Sequence, residues 1–225
     1  MCAIFGLVNY KHLLSKKRMR ILLNRLAVAS EVRGTDASGI AYVKKGKMVI
    51  YKRPVPAHKM HFSVPSDTTI VTGHTRFTTQ GSAELNFNNH PFIGRTEDGR
   101  FALCHNGVLS NDVELSKTEN LPETPIQTDS YVAVQLIEKQ GSLDFESIAQ
   151  MSEKVMGSFV FTILRDDNTL YISKGDKSVL DALLSQMPFS IIAGISNDRV
   201  KTQAMLQINV ADCRVEFSVS IFRNQ

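Results

Sequence analysis

The chain has 225 residues, 43% of them hydrophobic and 21% charged, an ordinary balance for one folded domain or two small ones. No apolar run approaches the ~20 residues of a membrane span, and the start lacks a basic segment followed by a long apolar core. A membrane anchor and a secretory signal are therefore not expected, and a cytoplasmic location is.

After the apolar start CAIFGLV, the spacing predicts a helix over 15–31, with Met19, Leu22, Leu26 and Ala29 on its apolar face and Gly34 soon after its end. Its basic residues Lys16, Lys17, Arg18 and Arg20 alternate with aliphatic rather than aromatic side chains. With a net charge of only +4, they read as a solvated helix face, and no nucleic-acid partner is expected. IAYVKKGKMVIYK predicts a hairpin turning at Lys45-Gly46, and TIVTGHTRF and RFALCHNGVL predict two strands. Helices are expected in DSYVAVQLIEKQG, closing at Gly141, and in LDFESIAQMSEKVMG, closing at Gly157. SFVFTILRDDNTLYIS predicts a second hairpin turning at Asp166-Asp167-Asn168, FSIIAGIS a buried strand, and MLQINVADCRVEFSVSIF a final strand pair. Strands joined to their neighbours by hairpins call for antiparallel or mixed sheets. Two packed sheets with helices outside would bury every apolar face, which predicts a single α+β domain over 1–225.

The three cysteines, Cys2, Cys104 and Cys213, are far apart and form no C-x-x-C pair, so neither a disulfide framework nor a structural metal is expected. Cys104, between Leu103 and His105 in a strand, is expected to be buried. Cys2 is different. Aminopeptidases remove an initiator methionine ahead of a small residue, and removal of Met1 would leave Cys2 with a free α-amine beside its own thiol. Four stretches accompany it: RGTDASGIA (33–41), GHTRFTTQG (73–81), HNG (105–107) and TDS (128–130). Singly, HNG is equally an Asn-Gly turn, TDS a helix cap, and Arg76 an exposed strand residue.

As an ordered set, Cys-x-I-x-G, R-G-x-D-x-S-G, H-T-R, N-x-H-P, H-N-G and T-D-S resemble the glutaminase domain of class II glutamine amidotransferases, above all that of glucosamine-6-phosphate synthase. The resemblance covers roughly residues 2–175 and implies the four-layer αββα sandwich of N-terminal-nucleophile hydrolases, with no cofactor and no metal. It implies that Cys2 attacks the side-chain amide of glutamine, and that its α-amine, with an ordinary pKa of about 7.7 to 8.0, accepts the thiol proton. Asn106 and the Gly107 N–H become the oxyanion donors. Arg76, Phe77, Thr79 and Gln80 form the glutamine loop, Arg76 taking the α-carboxylate and Asp129 the α-ammonium. Arg33, Asp36 and Ser38 read as scaffold for the nucleophile, and His74 and His105 as orienting groups rather than bases.

This sequence departs from the family pattern at Phe77, where tryptophan or tyrosine is usual, at Gln80, where histidine is common, and at Thr35. It also carries SKGDKSV (173–179) in place of an arginine-containing segment. No counterpart of the family's ammonia-consuming half is expected here, so the chain reads either as a subunit that docks with a separate synthase, its expected partner besides glutamine, or as a stand-alone glutaminase. An N-terminal-nucleophile hydrolase of another small amide, or a non-catalytic module retaining the fold, remain as alternatives.

Overall fold

The computed structural model describes residues 2–9, 12–175, 201–209 and 214–222. Two sheets carry the architecture. The first is four-stranded in the order β1 (Ala3–Val8), β4 (Ile70–Arg76), β2 (Ala37–Lys44), β3 (Lys47–Arg53). The second is six-stranded: β10 (Arg214–Phe222), β9 (Lys201–Asn209), β8 (Thr169–Lys174), β7 (Gly157–Arg165), β6 (Gly99–Leu109), β5 (Phe92–Thr96). Every pairing is antiparallel, as hairpin-connected strands require. Helix α1 (Lys16–Ser30) covers the first sheet, α3 (Tyr131–Gln140) and α4 (Phe145–Lys154) cover the second, and α2 (Asp112–Thr118) leans on α3. The sheets pack on each other through β3, β4, β6 and β7, giving the αββα order.

Local chemistry sets the ends of these elements. The Ser15 side chain accepts from the Arg18 N–H to start α1, and Asp144 and Ser147 form a reciprocal capping box at the start of α4. Gly141 closes α3 in the left-handed region at φ 81°, where a Cβ would be penalised. Both expected hairpins form, one through the two-residue loop Lys45-Gly46 and one through Asp166-Asp167-Asn168.

The structure corrects several expectations. The buried face of α1 is Met19, Leu23 and Ala27, an i, i+4, i+8 row against Phe5, Ile40, Phe62 and Val71. Leu22 and Leu26 are exposed, because the helix is rotated so that Asn24 can bond the Phe62 backbone. Helix α4 stops at Lys154, and Gly157 begins β7 instead of ending the helix. HNG is not a turn: β6 runs straight through it, paired to β7 as far as Leu109↔Gly157. Arg76 is buried rather than an exposed strand residue. The expected strand FSIIAGIS, residues 176–179 of SKGDKSV, and Cys213 lie outside the described residues.

Three apolar clusters hold the layers. One lies under α1, and one between α3, α4 and the outer face of the six-stranded sheet, where Phe101, Leu103, Phe161 and Ile163 meet Leu136, Ile137, Ile148 and Met151. A small third cluster of Val43, Ile70, Leu164 and Leu170 sits between the sheets. Polar contacts also cross between the sheets: the Thr72 and Thr162 hydroxyls meet at 2.8 Å and His74 Nε2 donates to the His105 carbonyl at 2.9 Å.

Candidate active site

The register of β1 on β4, with Ala3 opposite Thr75, delivers Cys2 to the end of β4 where Arg76 leads into the loop 77–81. Cys2 Sγ accepts from the Phe77 N–H at 3.4 Å, and Arg33 Nε donates to the Cys2 carbonyl at 2.8 Å. Arg33 therefore braces the nucleophile's backbone, as expected of a scaffold residue. Asp36 braces the loop instead, accepting from the Thr78 N–H at 2.7 Å, and the buried Ser38 hydroxyl has no partner among the described residues.

Across from Cys2 the six-stranded sheet supplies Gly107, and the segment before α3 supplies Asp129. Gly107 lies at φ +153°, where a Cβ would be driven into the Ser158 carbonyl, so the tight β6–β7 pairing and this backbone angle both demand glycine. Asp129 is not a cap on α3. Its Oδ2 accepts from the Leu109 N–H at 2.7 Å and its Oδ1 from the Ser130 N–H at 2.8 Å, which fastens the start of α3 to the end of β6. The Ser130 hydroxyl also donates to Oδ1 at 3.2 Å, and since a carboxylate has about four acceptor positions, one remains for a ligand cation.

Arg76 is 3% exposed and its guanidinium is committed to the loop. Nη1 donates to Asn89 Oδ1 at 2.7 Å, and Nη2 to the carbonyls of Gln80 at 2.6 Å and Gly81 at 3.1 Å. With three of five N–H groups used, two are left to meet an anion.

The electrostatics favour protonated sulfur and neutral imidazoles. Burial pushes the Cys2 thiol above its ordinary value, only partly opposed by the Phe77 backbone bond. Burial lowers His74 to about 3 and holds His90 well below its usual range; it also lowers His105, against the pull of Asp129. His105 Nδ1 lies 2.7 Å from the Ser130 hydroxyl, and the His74 and His90 rings meet at 4.1 Å between centroids, tilted by 34°. Imidazoles this hard to protonate are weak bases, which fits the orienting role expected of His74 and His105. Burial likewise raises Cys104 to about 12, an inert core thiol as expected. Among the described residues no cluster of histidine, cysteine and carboxylates could hold a metal, and no helix is long and apolar enough to cross a membrane.

Residues 74–183 match the family described as a glutamine amidotransferase domain. The chain carries a class II glutamine amidotransferase domain. It is 32% identical over 190 residues to the isomerizing glutamine–fructose-6-phosphate aminotransferase of Staphylococcus epidermidis, covering 80% of this chain and 30% of that one. To the enzyme of the same name from Geobacillus kaustophilus it is 31% identical over 217 residues, 92% of this chain and 33% of that one. It thus spans about a third of the length of these curated relatives. The fold matches a solved glutamine phosphoribosylpyrophosphate amidotransferase from B. subtilis with a TM-score of 0.62 at 17% identity, over 99% of this chain and 49% of that one. A structure of the allosteric regulatory enzyme of purine biosynthesis matches at 0.64 and 16%, with the same coverage. At such identities these two establish the N-terminal-nucleophile fold alone.

Of the residues anticipated for the amidotransferase site, Cys2, Arg76, Phe77, Thr79, Gln80, Gly107 and Asp129 line one cleft. Asn106 is not among the lining residues: it is half-buried on β6 beside Gly107. The cleft also takes in His90, Thr128 and Ser130, with Asn89 behind Arg76. His90 belongs to the N-x-H-P signature, yet nothing in the sequence tells that both its ring nitrogens lie buried without a partner among the described residues. Thr128 and Ser130 flank Asp129 in the T-D-S signature, and their role emerges only from packing.

Proposed function

We propose that this domain hydrolyses the side-chain amide of free glutamine to glutamate and ammonia, with Cys2 as the nucleophile once Met1 has been removed. The observation that carries this reading is the convergence on one cleft of a thiol, a cationic group and an anionic group from three separate segments: Cys2, Arg76 and Asp129. Arg76 and Asp129 suit the two charges on the α-carbon of a free amino acid, a pairing that a hydrolase of uncharged amides would not need.

In this mechanism the α-amine of Cys2 takes the thiol proton, which the raised thiol pKa makes necessary, and Sγ bonds to the amide carbon. The oxyanion of the tetrahedral intermediate is met by the Gly107 N–H and the Asn106 side-chain amide. Collapse breaks the C–N bond, the amine passes its proton to the departing ammonia, and water hydrolyses the thioester to release glutamate and restore the thiol. Phe77, Thr79 and Gln80 close the loop over the substrate. The relatives named above are glutamine–fructose-6-phosphate aminotransferases, and a cytoplasmic synthase on a separate subunit would serve as ammonia acceptor for this chain.

Incubation with glutamine should yield glutamate and ammonia in equal amounts. A glutamine-mimicking diazoketone should add mass at Cys2 and abolish that release. Label confined to Cys104 or Cys213, or a Cys2→Ala variant as active as the parent, would refute the assignment.

A further inference from the structure

Gln80 does two things at once. Its carbonyl accepts from Arg76 Nη2 at 2.6 Å, while its exposed side chain leaves the loop and donates from Nε2 to Asp112 Oδ2 at 2.9 Å. Asp112 is the first residue of α2 and lies outside the cleft. Helix α2 is itself anchored. Just beyond its last turn, Glu119 meets Lys139 of α3 and Lys154 of α4, each at 2.8 Å. Besides its contacts with Cys2 and Arg76, the loop 77–81 is therefore pinned on two flanks: by Asp36 through the Thr78 N–H, beside the four-stranded sheet, and by Asp112 through Gln80, on the helices of the six-stranded sheet.

We propose that Asp112 is a positioning residue for glutamine binding, acting through Gln80 to hold the loop in register over Cys2 and to fix the carbonyls that orient the Arg76 guanidinium. The proposal rests on the glutaminase reading above and deepens it. A histidine at position 80, common in the family this sequence resembles, presents a shorter ring, whereas a glutamine side chain spans the distance with an N–H donor at its end. Without the tether, the loop loses its bond to α2 and keeps its Asp36, Cys2 and Arg76 contacts, so its outer end is ordered in part by the substrate, which weakens binding while leaving chemistry on bound glutamine unaltered. The carboxylate acts here as an acceptor, so asparagine, which keeps an acceptor oxygen, should substitute for it.

The test is a double-mutant cycle on the full chain with Gln80→Ala, Asp112→Ala and the pair, read by steady-state kinetics with glutamine and by amide hydrogen exchange over 77–81 without substrate. Asp112→Ala should raise KM about threefold to tenfold with kcat held within about twofold, the size expected for one ordinary solvent-exposed hydrogen bond. The double variant should be no worse than the more affected single, Asp112→Asn should restore the parent KM, and both alanine variants should exchange faster in the loop. Additive effects on KM, or loop exchange identical to the parent, would overturn the proposal. If the parent releases no ammonia from glutamine, the glutaminase reading fails while the exchange arm still decides whether the tether positions the loop.

Discussion

Asn106 and Gly107 are adjacent on β6 but stand in opposite relations to the fold. The Asn106 side-chain amide, half-buried, makes no hydrogen bond among the described residues, so nothing in the scaffold depends on it. Gly107 is wedged against the Ser158 carbonyl at φ +153°. Asn106→Ala should therefore leave stability within about 0.5 kcal/mol. If the amide donates to the oxyanion, kcat for glutamine should fall about 100-fold to 1,000-fold with little change in KM. Parallel ammonia-release kinetics and urea midpoints separate the two effects. A kcat within tenfold of the parent would remove Asn106 from the oxyanion site. Gly107→Ala, by contrast, should lower the urea midpoint as well as kcat, because its methyl group opens the β6–β7 ladder. The H-N-G signature marks both positions as candidates. Their placement within a strand is not legible there, since Asn-Gly has turn propensity and only pairing with β7 overrides it.

At the scale of elements, local signals mark some features reliably and mislead at others, as where Asn106-Gly107 and Gly157 lie in strands. The two hairpins and the Gly141 stop are encoded within a few residues, and both were anticipated. The rotation of α1 was not, because Met19-Leu22-Leu26 and Met19-Leu23-Ala27 are both acceptable helical stripes, and the bonds between Asn24 and Phe62 choose between them. Helix α2 and strand β5 went unrecognised: at 7 and 5 residues they are too short to show a period, and their neighbours in α3 and β6 hold them in place. The capping box of α4 allows a direct test of local encoding. Asp144→Ala removes the acceptor for the Ser147 N–H at 2.8 Å and should destabilise the domain by about 1 kcal/mol. Asp144→Ser should retain most of that stability. Because α4 lies on the far side of the six-stranded sheet from Cys2, glutamine kinetics below the melting range should be unchanged. A midpoint unaffected by Asp144→Ala would show that tertiary packing alone fixes where α4 begins.

For the molecule as a whole, packing two sheets face to face gathers three histidines from separate parts of the chain: His74 on β4, His90 ahead of β5 and His105 on β6. All three are held neutral by burial, His74 down to about 3. In the unfolded chain each takes up a proton near pH 6.5. Below that pH the unfolded state binds more protons than the folded one, so stability must fall as the pH falls. Each histidine contributes a slope of up to about 1.4 kcal/mol per pH unit, and that of His74 persists until its folded value is reached near pH 3. Glu119, whose bonds to Lys139 and Lys154 lower it to about 2, adds to the loss only below its ordinary value of 4.5, and Glu138, raised by burial, opposes it, so the loss from pH 6.5 to 5 comes from the histidines. The stability given by urea midpoints at pH 7.5, 6.5 and 5.5 should fall modestly over the first step, by about 1 kcal/mol for three imidazoles half protonated in the unfolded chain at pH 6.5, and about three times as far over the second. His74→Gln, which keeps a donor for the His105 carbonyl and cannot titrate, should lessen the drop by up to one proton's worth. A midpoint unchanged down to pH 5.5 would show that these imidazoles are not held neutral. This loss lies well below the pH at which the Cys2 amine of the proposed mechanism changes state, about 7.7 to 8.0. The acid side of the glutaminase profile should therefore divide in two. A first decline as the amine protonates should reverse fully on returning to pH 8, and a second, below pH 6.5, should follow the unfolding measured by urea.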